Sequence, residues 1–176
     1  FMEKPTLKDE DLDLFFDDNG TWRIKKCQPN LCDLYEPLRE FDIPYSSRTP
    51  TAFAEEVSKP EMRQMIEKCW KLNDMVQEQR RVKAGVMNEL KELGFPSTFG
   101  GKACVPYDEW GDEYRGSLDC LTDLYENRDY VERFIEEDQK RMLARIKTWN
   151  PDGSKDGMTV MMTLHRGMDG FLADDF

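Results

Sequence analysis

The sequence predicts an α/β fold in which helices cover a parallel sheet, and three observations carry that expectation. A long apolar periodicity over residues 58–94 marks an amphipathic helix. Two short apolar runs, residues 98–105 and 158–164, have the length and bounding turn residues of strands. Two further helical segments lie between those strands, near residues 116–125 and 128–149. Strands separated by helices need crossover connections, which suit parallel neighbours in a sheet buried on both faces.

Each element has a local reason. Residues 1–20 are acidic and turn-rich, and Asp17-Asp18-Asn19-Gly20 between Phe16 and Trp22 reads as the turn of a short hairpin ending in residues 21–25. The acidic cluster lacks the ligand spacing of a calcium loop. Residues 26–57 carry Pro29, Pro37, Pro44 and Pro50 and read as an ordered irregular segment with one short helix near Leu31 to Phe41. Ser58 and Glu61 form a capping box, and Pro60 sits in the first turn of the helix, where its missing N–H costs nothing.

Met62, Met65, Ile66, Cys69, Leu72, Met75 and Val76 then recur at spacings of three and four, followed by Val82, Val86, Met87, Leu90 and Leu93. This stripe is expected to pack on the sheet; the alternative is a surface that receives a partner. Gly94 stops the helix and Pro96 prevents its resumption. Asn127 is the expected N-cap of the last helix, whose inner face holds Val131, Phe134, Ile135, Met142, Leu143 and Ile146. Met158 to Leu164 is the expected buried strand. Two strands leave a sheet unfinished, so the chain is expected to be cut off before its fold is complete. The organisation is accordingly an N-terminal irregular segment, residues 1–57, followed by the α/β part, residues 58–176.

The charge balance narrows the function. With 36 acidic against 25 basic residues the net charge is −11, and a phosphate backbone calls for the opposite, a clustered basic face. No apolar run approaches the ~18 residues of a membrane span, and the first residues lack a signal-peptide core. The five cysteines, Cys27, Cys32, Cys69, Cys104 and Cys120, are odd in number and show no paired spacing. That pattern points to free thiols in a reducing, cytoplasmic setting. Cys27 and Cys32 lack a second ligand pair, so no metal site is assigned within the chain.

In parallel α/β folds ligands bind at the C-terminal ends of strands. That rule selects two segments. After the first strand, Tyr107, Asp108, Asp112 and Arg115 offer a phenol, two carboxylates and a guanidinium. These suit substrate binding or acid–base work, or alternatively a turn cap and a structural ion pair. Gly100-Gly101 could admit a ligand to the backbone. After the second strand stands His165, the single histidine, with Asp169 close by, as candidate general acid–base groups. Cys104 has no base adjacent in sequence and reads as a structural thiol.

The segments Phe41 to Arg48 (FDIPYSSR), Ala52 to Glu61 (AFAEEVSKPE), Leu93 to Pro96 (LGFP), Phe99 to Gly101 (FGG) and Val105 to Asp108 (VPYD) come in a characteristic order. They are followed by Gly111-Asp112, Tyr114 to Gly116 (YRG), Asp123 to Asn127 (DLYEN) and Leu164 to Leu172 (LHRGMDGFL). Together they resemble the uroporphyrinogen decarboxylase superfamily, and within it the methyltransferase-like, cobamide-dependent branch. The likeness covers roughly residues 38–176, and order and spacing carry it rather than any single motif. The resemblance implies a partial (β/α)8 TIM barrel, the chain being its middle portion. It also implies transfer of a methyl group between a corrinoid protein and a small thiol or methoxylated substrate. Cobamide would ride on the partner protein, and zinc ligands would lie outside this chain. Asp108, Arg115, His165 and Asp169 would line the mouth, and such barrels often form homodimers. Uroporphyrinogen decarboxylation is the second reading, placed behind because an acidic chain shows no basic cleft for a polycarboxylate. A third reading is non-catalytic: a half-barrel subunit or fragment that completes a fold with another chain.

Overall fold

The computed structural model describes residues 5–42, 50–150 and 158–164. It is predominantly helical, and the helices and strands divide between two compact units, Thr6–Glu89 and Phe1–Pro5 with Leu90–Phe176. The expected partial TIM barrel is not what forms. Among the described residues there are two strands, β1 (Phe99–Cys104) and β2 (Thr159–Thr163), paired parallel in a single two-stranded sheet. Parallel pairing and strand positions match the sequence expectation. The barrel fails because closure needs a cycle of strands, and the remaining apolar segments of the described chain are helical.

In the unit Thr6–Glu89, α1 (Leu12–Asp17), α2 (Asn19–Trp22) and α3 (Gln28–Leu31) follow one another, with a π-helical turn at Arg23–Cys27 joining the last two. The expected hairpin over residues 17–25 is therefore a helical run. The cause is Asp18. Its carboxylate accepts the Thr21 backbone N–H at 3.1 Å and the Thr21 hydroxyl at 2.6 Å, which caps a new helix where a two-residue turn would have reversed the chain. These bonds, the hydroxyl first, lower the Asp18 pKa below the usual aspartate value. Trp22 is fully buried with Phe15 edge-on at 4.8 Å, and Leu7, Leu12, Met62 and Met65 complete the large apolar core of this unit. Lys26 pairs with the nearly buried Asp11 at 3.3 Å. The short helix expected near Leu31 is a 3-10 helix over Asp33–Glu40.

After α4 (Pro50–Val57) comes α5 (Pro60–Glu92), a helix about 50 Å long at 1.5 Å per residue. Lys59 accepts its first helical bond, from Arg63, and the Lys59 ammonium holds Glu56 at 2.7 Å. Gly94 closes the helix as its position predicts. Its φ is +90°, and Phe95 N–H reaches back to Leu90 O at 2.8 Å, the long bond of a Schellman cap. The apolar stripe of α5 departs from expectation. Met62 and Met65 are buried, but Met75 is 71% exposed, Val82 51% and Val86 50%. Over this length the stripe does not pack on a sheet.

In the other unit α6 (Pro106–Glu109) leads into a π-helical turn, Trp110–Arg115, and then α7 (Gly116–Glu126) and α8 (Arg128–Lys147). Val131 and Phe134 are the fully buried positions of α8, and Leu143, expected on its inner face, is exposed. Asn127 does not cap α8 with its side chain; its amide instead donates to Asp123. The sheet's register pairs Gly101 with Val160 and Cys104 with Thr163. β2, read as a buried strand, leaves Val160, Met161 and Met162 about half exposed. Gly100 is required where it stands, because a Cβ there would lie 2.9 Å from Met158 Cβ. At Gly101 the added Cβ would meet the Trp149 ring at 3.3 Å. The two glycines make room for protein side chains and not for a ligand.

Candidate functional site

The residues that sequence chemistry singled out after β1 do come together, but as a buried scaffold. Pro106 starts α6 at its first position, and the wide turn that follows aligns side chains five residues apart. As a result Trp110 and Arg115 both reach Asp123 on α7. Arg115 donates from Nε to Asp123 Oδ2 and from Nη2 to Oδ1, each at 2.7 Å. Trp110 Nε1 donates to Oδ2 and Asn127 Nδ2 to Oδ1, each at 2.9 Å. The two charged side chains are 2% and 0% exposed. This is the structural alternative for Arg115: its guanidinium is committed to a fork-to-fork pair with a carboxylate, and four donors occupy the Asp123 oxygens.

Tyr107 is also buried, and its hydroxyl donates to Cys120 O at 3.1 Å. Asp108 is fully buried, while Asp112 lies on the exposed side of the turn. A shallow groove lined by Tyr125 to Tyr130 includes none of the four. His165 and Asp169 lie outside the described residues. Asp123, the acceptor at the centre of this structural network, is not singled out by residue type; it is an acid eight residues after Arg115, and the two face each other across the chain's break at Gly116, where φ is +73°.

The resemblance implies zinc and a cobamide partner. No group of three or more His, Cys, Asp or Glu among the described residues is placed to hold a metal. All five cysteines are free thiols, with Cys27 and Cys120 buried and Cys32 exposed.

One carboxylate in this unit is electrostatically unusual. Glu109 at the end of α6 is half-buried, and its pKa is raised, first by desolvation and then by the charge of Asp138 on α8, with Glu113 adding and Arg145 and Arg141 opposing. Asp138 is itself buried; Arg141 donates to its Oδ1 at 3.3 Å, while its Oδ2 is buried with no hydrogen bond among the described residues. A raised folded-state pKa means that ionised Glu109 opposes folding. The contribution of Glu109 to stability is therefore greatest below the ordinary glutamate value of 4.5 and is lost as pH rises through the folded value. Glu109→Gln should stabilise the protein at pH 7–8 by roughly a few tenths of a kcal/mol, since solvent still screens the site, and the gain should vanish below about pH 4. Urea unfolding of both forms across that range measures it; a variant less stable at pH 8 would contradict the assignment.

Among the described residues, α5 also carries a run of exposed apolar side chains: Trp70 is 66% exposed, Met75 71%, and Leu72, Val82 and Val86 about half. A helix in a folded protein draws its stability chiefly from packing of its apolar face.

No protein-family model, no curated protein and no solved structure matches the chain. Its own fold makes it a mostly helical protein with a small parallel sheet, a buried ion-pair scaffold and a long amphipathic helix that is largely exposed. No helix among the described residues is long and apolar enough to cross a membrane.

Proposed function

We propose that this chain is a helix-mediated assembly protein that docks to a helical partner through the apolar stripe of α5, in the reducing environment of the cytoplasm. The exposed stripe carries the reading: Leu72, Met75, Val82 and Val86 are each about half or more exposed along one helix. Their packing against a partner helix would remove from water the surface that the chain's own fold leaves exposed. The free thiols suit the compartment. Of the three readings of the sequence, this one keeps the non-catalytic role with another chain and drops the half-barrel. Methyl transfer, with a small-molecule substrate and a corrinoid partner, rests on the quoted segments alone. Of the residues assigned to it, Tyr107 and Arg115 are engaged inside the fold.

Site-specific photo-cross-linking in cells tests the proposal. A photoreactive residue at Val86 should give a covalent adduct. The same residue at Leu118, which is 77% exposed but off the stripe, should give none. A Met75→Glu/Val82→Glu/Val86→Glu chain should stay folded, with Trp22 and Trp110 still buried by fluorescence, and lose an adduct formed from a cross-linker at Cys69. If that variant unfolds, the stripe belongs to the chain's own core and the reading fails; absence of any adduct at Val86 also overturns it.

A further inference from the structure

We infer that the helix docking on α5 is α5 of a second copy of this chain, laid antiparallel about a two-fold axis near Arg81; this rests on the assembly reading above and names its partner. The sequence of the helix is heptad-like as well as amphipathic. Counting sevens from Met62, one core position recurs at Met62, Cys69, Val76, Lys83 and Leu90, and the other at Met65, Leu72, Gln79, Val86 and Leu93. A sustained repeat of seven brings one seam of a helix against another helix, whereas a sheet or a globular core asks only for the looser period of 3.6. Met62 and Met65 are buried within their own unit, and from Leu72 onward the seam positions within α5 are exposed except Val76, which is partly buried.

The two polar residues of the seam decide the orientation. In a parallel pair like meets like, so Lys83 would face the Lys83 of the second copy in a desolvated layer, and Gln79 would face Gln79. In an antiparallel pair each residue of one core series meets one of the other. Setting Gln79 against Lys83 then places Val76 against Val86 and Leu72 against Leu90 within α5, by the arithmetic of a shared sum of positions. Polar meets polar in the middle, apolar meets apolar on both sides, and the exposed part of the seam is used from end to end. Val82 meets its own symmetry mate at the flank. Arg80 also approaches its mate, but at an exposed flank, where water and salt screen like charges; a Lys–Lys contact inside the seam has no such relief. Other registers set Lys83 or Gln79 against an apolar side chain.

The full chain at tens of micromolar should run as a dimer in light scattering, and Val86→Lys should weaken it by about a hundredfold through a charge buried twice in the seam. Orientation is read by cross-linking. With Val76→Cys/Val86→Cys, a short thiol-reactive cross-linker should join position 76 of one copy to position 86 of the other, mapped by peptide mass spectrometry. The two lie about 15 Å apart within one helix, too far to join internally. Val76→Cys alone should give no link between its two copies at position 76. A monomer at all accessible concentrations overturns the inference. So does a dimer whose Val76→Cys form links 76 to 76, which shows a parallel pair. If the chain is monomeric while the Val86 photo-adduct contains a different protein, this inference falls and the assembly reading stands.

Discussion

Asp123→Ala should remove about 3–5 kcal/mol of stability, the cost of stripping one partner from a buried ion pair. The magnitude follows from what is left behind. Arg115 would keep its charge in a position 2% exposed to solvent, with its fork of donors aimed at a methyl group. Trp110 Nε1 and Asn127 Nδ2 would lose the acceptor they share with it. Against a total of about 5–15 kcal/mol for a typical domain, that loss brings the unit near its unfolding threshold. The pair itself is a poor source of net stability, because desolvating both charges offsets most of their attraction. Arg115→Met/Asp123→Leu should therefore recover much of what Asp123→Ala loses. Urea unfolding monitored by far-ultraviolet circular dichroism measures all three. A loss under about 1 kcal/mol for Asp123→Ala, within the range of exposed pairs, would mean that water reaches the site and the pair is not buried as described.

The same network shows how far the sequence could be read. That Arg115 had two candidate roles, ligand binding or pairing with a carboxylate, was legible from residue type alone. Which one it takes depends on how the chain breaks at Gly116, whose φ of +73° separates the π-helical turn from α7 and lets Arg115 face Asp123, and residue type alone does not report that path. The boundaries of α5, β1, α7, α8 and β2 were legible within a few residues, because Gly94, Pro96 and Asn127 punctuate apolar periodicities that are long enough to be unambiguous. Asp17-Asp18-Asn19-Gly20 was misread for a physical reason: the groups that favour a tight turn are also those that cap helices, and Thr21 supplied the N–H and hydroxyl that tipped Asp18 toward a cap. The apolar stripe of α5 was legible as a stripe, but periodicity reports only that a face prefers to be covered. It does not say whether the cover is in the same chain. The barrel came from extending a resemblance in segment order to a whole architecture, when only two strands were visible in the residues.

Trp22→Ala should cost a comparable 3–5 kcal/mol in the unit Thr6–Glu89. Trp22 is the largest fully buried side chain there, 0% exposed, and Phe15 meets it edge-on at 4.8 Å with the rings at 85°. A buried indole removes roughly 150–250 Å² from water, which at about 25 cal/mol per Å² is about 4–6 kcal/mol before any credit for collapse of the cavity. The helices around it are too short to persist alone: α1 has six residues, α2 and α3 four each, well under the ~12–15 residues at which isolated helices become even marginal. Their order depends on burial of side chains such as Trp22, Phe15 and Leu12 within this unit, in which Leu7, Met62 and Met65 are also buried. Loss of Trp22 should therefore appear as faster amide hydrogen exchange across Leu12–Leu31 together with the first turns of α5, and as a lower unfolding midpoint. Trp22→Phe, which keeps most of the apolar area and an aromatic edge contact with Phe15, should cost distinctly less. Equal losses for the two substitutions would point to a specific indole interaction instead of volume. Unchanged exchange in α5 would mean that its Met62 and Met65 are anchored independently of this tryptophan, and that the helix presenting the stripe stands on its own.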